Sequence, residues 1–262
     1  MRQWIKINFI VGLFFLLLGS LTDSSGEVRS CQFPSGQKKV FVYKATRFGL
    51  PIFKGIIKME NGPSDQEKSL FQVHASFQSL QYLGPVFRMN NRFTSTMEAE
   101  TCFPVRYVKE VNQEGLLIQK KNYLHTLFFD SLRQKVVVEK KEKSEKEEMS
   151  LPPSTYDPLS MFARCYLKEE LRPGQDIRMS IYDGVKLREI VFHSRQEKVE
   201  SKMYGEVQAV RLESATSFST FGDKEGIIRI WYMADGERTP LLIELDLPVG
   251  DVKFELESVE KG

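Results

Sequence analysis

The sequence predicts a mainly β protein, in which one large antiparallel sheet curves into an open or half β-barrel and one amphipathic helix packs on its apolar face. About a dozen short segments alternate apolar and polar residues and are separated by turn residues, as strands are. A sheet of that many strands usually curls or closes. Only residues 157–170 show helical spacing instead. The 41% hydrophobic and 27% charged residues are globular proportions, which exclude a disordered chain and a multi-span membrane protein.

Residues 1–26 are predicted to be a signal peptide. Arg2 and Lys6 precede an apolar run from Phe9 to Leu18, which is too short for a bilayer span of about 20 residues. Small residues follow, so cleavage is expected between residues 20 and 26. The sequence therefore predicts export to the periplasm, with 27–262 as a single β-rich domain. An uncleaved membrane anchor is the alternative.

The strands are predicted where apolar and polar residues alternate. Asp183-Gly184 and Asp235-Gly236 are expected to be hairpin turns rather than catalytic carboxylates, because Asp-Gly suits that geometry. The predicted strand segments are 39–47, 52–59, 71–78, 92–99, 104–112, 115–122, 124–129, 133–140, 177–183, 187–196, 204–214, 228–232, 241–247 and 252–257.

A charged loop is predicted at 139–150, between two strand patterns. Every residue from 139 to 148 is charged except Ser144, and both signs are mixed. Because the charges largely cancel, a solvated hairpin extension or loop is favoured over a binding tail.

The helix at 157–170 is predicted from its start signal and its apolar stripe. Asp157 suits the N-cap and Pro158 the first helical position. Arg164 neighbours the apolar side and is expected either to anchor the helix through a carboxylate or to meet an anionic head group. If the helix covers a cavity, as a plug or a lid, the ligand-binding residues are Leu159, Phe162, Arg164 and Tyr166.

Several motifs in this order resemble the exported bacterial family called domain of unknown function 3108. The similarity spans about residues 38–258, and its most specific parts are the Asp157-Pro158-Leu159-Ser160 segment and the closing meander. The resemblance implies a protein of Gram-negative envelopes with no assigned reaction, so it supplies no catalytic residue. The motifs are Tyr43, Gly49-Leu50-Pro51-Ile52, Gly55, Thr101-Cys102-Phe103-Pro104, Asp157-Pro158-Leu159-Ser160, Arg164, Pro173-Gly174, Trp231-Tyr232, Asp235 and Pro240.

The sequence shows no catalytic, metal-binding or cofactor-binding pattern. His74, His125 and His193 lie in separate strand patterns, and none has a second ligand at metal-binding spacing. Nucleophile elbows, phosphate loops and dinucleotide fingerprints are absent from the sequence. We therefore expect a protein that is not an enzyme and uses no cofactor. A hydrolase built from carboxylates that cluster only on folding is a third hypothesis.

Three cysteines, Cys31, Cys102 and Cys165, allow one disulfide in an oxidising compartment, and sequence does not choose among the three pairings. Cys31 is alternatively a lipid-attachment residue. Lipidation there would make the protein a peripheral membrane protein, and it would then associate with the outer membrane.

The charge balance argues against nucleic acid as a partner, because 37 basic residues face 35 acidic ones. Loss of Arg2 and Lys6 would leave the chain nearly neutral, which argues against electrostatic attachment to acidic lipid. The leading hypothesis is a non-enzymatic envelope protein that binds or shields a lipid or another amphipathic ligand. The alternative is a structural scaffold that contacts other envelope proteins through strand edges or the charged loop.

Overall fold

The structure is a computed structural model that describes residues 31, 33, 36–62, 69–116, 118–218, 224–247 and 250–262. The predicted signal peptide and its cleavage site lie outside these residues. Among the described residues, no helix is both long and apolar enough to span a membrane.

Within the described residues, fifteen strands form one sheet, which confirms the predicted mainly β fold with an open, barrel-like sheet. The strands are β1 (Lys38–Arg47), β2 (Leu50–Asn61), β3 (Leu70–Ser79), β4 (Phe87–Glu98), β5 (Pro104–Gly115), β6 (Ile118–Asp130), β7 (Lys135–Lys140), β8 (Glu145–Ser150), β9 (Thr155–Tyr156), β10 (Asp176–Tyr182), β11 (Leu187–Ser201), β12 (Gly205–Phe218), β13 (Lys224–Met233), β14 (Pro240–Asp246) and β15 (Val252–Lys261).

The sheet runs in the order β8-β7-β6-β5-β4-β3-β2-β1-β15-β14-β13-β12-β11-β10-β9. All neighbours are antiparallel except β9 and β10. The two edges, β8 and β9, are joined by only the residues from Leu151 to Ser154. The sheet is therefore open along one seam, between β8 and β9. These two edge strands are consecutive in the chain, which crosses from one edge to the other through this short connection.

Because the strands alternate in direction, their connections fall at two opposite ends of the sheet. We call one of these ends the upper rim. It carries the connecting residues 48–49, 80–86, 116, 141–144, 183–186, 247 and 250–251. The lower rim carries the turns at 99–103, 131–134, 202–204 and 234–239.

The inner face of the sheet carries the main apolar core. Alternate residues point inward, so that Phe41 and Tyr43 of β1, Phe71 and Val73 of β3, and Leu256 of β15 are almost fully buried. Between β5, β6 and β7 a smaller core forms around Leu127, and Tyr182 of β10 joins it. The two halves of the sheet thus contact each other across the interior.

The predicted helix is present but shorter than 157–170. An α-helix, α1 (Pro158–Ala163), continues directly into one wider π-helical turn, Arg164–Lys168. Asp157 is the N-cap, as predicted, and its carboxylate accepts hydrogen bonds from the backbone N–H groups of Leu159 and Ser160. The helical segment ends at Lys168 because Glu169 has an extended backbone.

Two further predictions need correction. Residues 139–150 form the predicted hairpin extension and not the loop: only 141–144 are a turn, and the mixed charges pair across β7 and β8, with Lys140 Nζ 2.5 Å from Glu147 and Lys146 Nζ 2.6 Å from Glu139. From Ile118 onward, the predicted strands 115–122 and 124–129 are one strand, β6, because Tyr123 continues the ladder opposite Val111; Gly115 is the last residue of β5.

Candidate functional site

The predicted ligand-binding residues of the helix are mostly committed to the core. Phe162 and Tyr166 are 5% and 3% exposed, and Leu159 is half-buried. The guanidinium of Arg164 donates to the hydroxyl of Tyr156 and to the carboxylate of Glu169. Arg164 therefore anchors the helical segment, the first of the two roles predicted for it.

The space beneath the helix is packed. The ring of Phe162 lies 6.3 Å from that of Tyr232, and the ring of Tyr166 meets Phe41 edge-on at 5.6 Å. Met161 and Cys165 are buried as well, and burial raises the pKa of the Cys165 thiol to about 12. In this structure the helical segment packs as a plug, since it is buried on several sides.

Two clefts lie away from the helix. One, of about 180 Å³, runs along Leu151–Thr155 beside Phe103 and Phe129. The other, of about 390 Å³, has a largely polar lining that includes Gln78, Asn90 and Asn112. Neither of these two clefts is lined by a residue of the helical segment.

Where β5 and β6 pair, the inner face of the sheet carries polar residues among the apolar ones. Lys109 lies between Tyr107 and Val111, which are 3% and 4% exposed, and directly opposite His125. Its ammonium group is 5.8 Å from the ring centre of Tyr123. Alternation therefore directs a lysine to the side of the sheet that holds the core.

The turn between β10 and β11 approaches these residues from the other half of the sheet. A Cβ atom at Gly184 would lie only 3.1 Å from Leu127 Cδ1 of β6, so the turn is in close contact with β6. The turn brings Asp183 and Arg188 toward Lys109. We refer to Lys109, Tyr123, His125, Asp183 and Arg188 as the Lys109 site.

Within the described part of the chain, the ammonium group of Lys109 has no hydrogen bond and no ion pair. Burial lowers the pKa of Lys109, the negative charge of Asp183 opposes this, and the charges of Lys121 and Arg188 lower it further. The ammonium group is therefore desolvated without a partner that compensates for the lost water.

Asp183 does not fill this role, because its carboxylate has other partners. It accepts from the backbone N–H groups of Val185 and Lys186 at 2.9 Å and from Arg188 Nη1 at 3.1 Å. Burial would raise the pKa of Asp183, yet the backbone N–H groups and the charges of Lys109 and Arg188 lower it. The predicted Asp-Gly turn is confirmed, and its carboxylate stabilises the turn itself.

This arrangement suits recognition of an anion. A half-dry ammonium group beside an aromatic ring and further cations attracts a carboxylate or phosphate more strongly than an exposed lysine does. Sequence reasoning missed Lys109 because its strand was predicted without assigning faces. The signal was present in the sequence. Tyr107, Lys109 and Val111 are every second residue of one strand, so their side chains lie on the same face, and the two apolar residues mark that face as the inner one.

Two of the histidines lie next to carboxylates. His125 Nε2 lies 2.6 Å from Glu142, and His193 Nδ1 lies 2.7 Å from Asp176. The described residues contain no group of three or more His, Cys, Asp or Glu side chains that could hold a metal ion.

One disulfide is present, between Cys31 and Cys102, with Cα atoms 5.8 Å apart. The third cysteine, Cys165, is a buried free thiol. A sulfur in a disulfide cannot also carry a thioether lipid, so lipidation of Cys31 would require a chain in which this bond is absent.

Comparisons with known proteins identify the family but not an activity. No curated protein matches the chain. Among solved structures, it is similar to the crystal structure of a beta-barrel-like protein of domain of unknown function DUF1849 from Brucella abortus, with a TM-score of 0.54 and 11% identity over 90% of this chain and 98% of that one. At this identity the likeness shows the fold alone. A family model described as "Protein of unknown function (DUF3108)" matches residues 40–257, most of the chain, and the protein therefore belongs to the DUF3108 family.

Proposed function

We propose that this protein is an exported, non-enzymatic envelope protein that binds an amphipathic ligand through an anionic group at the Lys109 site. The observation that carries the proposal is the desolvated ammonium group of Lys109, which has no hydrogen-bond or ion-pair partner among the described residues. A partly desolvated charge that its neighbours do not fully compensate destabilises a fold, and binding sites are where such a cost is retained.

Export is supported by two features. The predicted signal peptide occupies residues 1–26. The Cys31–Cys102 disulfide is of a kind that persists in oxidising compartments such as the bacterial periplasm.

The packing favours the inner face over the helix as the place where the ligand binds. A ligand beneath the helix would have to displace Phe162 and Tyr166 from the core. At the Lys109 site, the side chains of His125 and Arg188 are only 14% and 10% exposed, so this part of the inner face is partly desolvated. The ligand class is therefore an amphiphile whose carboxylate or phosphate meets Lys109.

The scaffold alternative is weakened where it depends on strand edges. Edge strand β8 has the sequence Glu-Lys-Glu-Glu-Met-Ser, and such charges hinder pairing with another chain. The other edge strand, β9, is only two residues long. Neither edge offers the long apolar strand that strand addition needs.

The test is calorimetric titration of the purified protein with decanoate and with decyl phosphate, which separates carboxylate from phosphate as the preferred group. We expect at least one of them to bind, and Lys109→Met to weaken that binding by about tenfold or more, because a charge-assisted hydrogen bond contributes roughly 1.5–3 kcal/mol. Lys109→Arg should retain most of the affinity.

Two controls make the result specific. Decyltrimethylammonium has the same chain with a cationic head and should not bind at the Lys109 site. Lys54→Met removes an exposed lysine of β2 and should leave binding unchanged. Equal binding of the cationic amphiphile, or unchanged affinity in Lys109→Met, would overturn the proposal. A stoichiometric protein partner cross-linked in cells, with no bound amphiphile, would favour the scaffold.

A further inference from the structure

Large apolar side chains are exposed at one end of the molecule. Of the eleven large hydrophobic residues that are exposed in the described chain, six lie on the upper rim, on or beside its turns. They are Phe48 (80% exposed), Leu50 (67%), Tyr82 (62%), Val86 (46%), Leu116 (80%) and Val185 (60%).

Phe48 is held outward at an energetic cost. Its φ is +49°, in the left-handed region that disfavours any residue with a side chain, and most of its ring faces solvent. The guanidinium of Arg47 lies 5.0 Å from the centre of that ring. Strain combined with an exposed aromatic ring is typical of a functional position.

The same rim is basic. Its turns and flanking residues, 47–50, 80–88, 114–121, 140–145, 183–188 and 246–253, contain ten basic and six acidic residues. The lower-rim segments 36–39, 60–62, 98–104, 130–135, 168–176, 200–206, 233–240 and 257–262 contain nine basic and thirteen acidic residues. Near-neutral composition thus conceals a charge difference between the two ends of the sheet.

We propose that the upper rim docks onto the surface of an anionic phospholipid bilayer. The apolar residues do not form one strand or groove: they project from four separate connections, after β1, β3, β5 and β10. A broad, deformable surface can receive such separate projections together, and the interfacial region of a bilayer accepts Phe, Tyr and Leu side chains while its anionic lipids attract the surrounding lysines and arginines.

The inference goes beyond the ligand proposal and does not depend on it. Val185 lies in the same turn as Asp183, so the apolar rim adjoins the Lys109 site. Docking in this orientation would turn that site toward the lipid surface.

The test is co-sedimentation of the purified protein with vesicles of phosphatidylethanolamine and phosphatidylglycerol, and with vesicles of phosphatidylcholine. The variant Phe48→Ser with Leu116→Ser removes two side chains that are 80% exposed, so its folding should be unchanged. Its matched control, Leu132→Ser with Tyr204→Ser, removes exposed side chains from the lower rim. Intact mass should confirm the same N-terminus in every protein.

We expect the wild type to prefer the anionic vesicles and to lose binding as salt is raised. The upper-rim variant should partition on the order of a hundredfold more weakly, about tenfold for each side chain, and the lower-rim variant should match the wild type. No binding by the wild type, or equal loss in both variants, would overturn the inference. A dimer in solution that the upper-rim variant abolishes, without vesicle binding, would identify a second copy as the occupant instead. Decanoate or decyl phosphate binding measured without vesicles reports separately on the Lys109 site and should be unchanged in the upper-rim variant.

Discussion

Lys109 and Asp157 differ in how far sequence alone could identify their roles. Asp157 caps the helix through hydrogen bonds to backbone groups two and three residues away, and this local role was predicted. The hydroxyl of Ser95, which also donates to Asp157 at 2.6 Å, is on β4 and could not be identified. Lys109 depends even more on tertiary structure, because its desolvation comes from two halves of the sheet that face each other.

The lowered pKa of Lys109 predicts how stability depends on pH. Between the folded-state pKa and the ordinary value of 10.5, the unfolded chain binds more protons at this residue than the folded chain does. The contribution of Lys109 to the free energy of unfolding should therefore rise as pH increases between these two pKa values. Below the folded-state pKa, the destabilisation by the desolvated ammonium group should be at its full value. The stability of Lys109→Met relative to wild type should accordingly be greatest near neutral pH and decline toward pH 10.5.

Denaturant titrations of both proteins across this pH range measure the effect. Lys54→Met, on the exposed side of β2, should show no such trend relative to wild type. A difference between Lys109→Met and wild type that does not change with pH would contradict the desolvation of Lys109.

At the scale of elements, local patterns located most strands but not all of their boundaries. For 139–150 the sequence left a hairpin extension and a loop open, because it contains no apolar alternation in β8. Its register becomes clear only in the folded sheet, where Lys146 lies directly opposite Glu139 with 2.6 Å between their charged atoms. Alternating charge supplied the pairing that apolar alternation supplies elsewhere.

The β10–β11 turn predicts a test of the contact across the interior. Gly184 has φ +86°, and a Cβ atom there would crowd Leu127, so Gly184→Ala should destabilise the fold by more than the roughly 1–2 kcal/mol of the left-handed backbone alone. Gly205→Ala is the matched control, because Gly205 has φ +69° and open space around a new Cβ. Denaturant midpoints measure both, and equal losses would mean that the turn does not press on β6.

At the scale of the whole molecule, the disulfide links the N-terminal segment to the β4–β5 turn across a sequence separation of 71 residues. Closing a loop of this length restricts the unfolded chain, so the bond should contribute up to about 4 kcal/mol. Cys102→Ala should therefore lower the free energy of unfolding, and addition of a reductant should destabilise the wild type but not the variant. Equal sensitivity of both proteins to the reductant would contradict this role.

The sequence also predicted a curved sheet with a helix on its apolar face, since both follow from strand number and residue periodicity. The seam could not be predicted, because it depends on β1 pairing with β15 at opposite ends of the chain. No local pattern specifies which distant strands become neighbours.

That pairing has a consequence for the order in which the chain can fold. Seven pairings link consecutive strands from β1 to β8, and six link consecutive strands from β9 to β15. When the chain is synthesised or exported N-terminus first, each of these pairings can form soon after the second strand of the pair appears. Only the pairing of β1 with β15 must wait for the last strand, and it closes a loop of most of the chain. Synthesis or transport of the final ten residues, Val252–Lys261, therefore sets the earliest moment at which the two halves become one sheet.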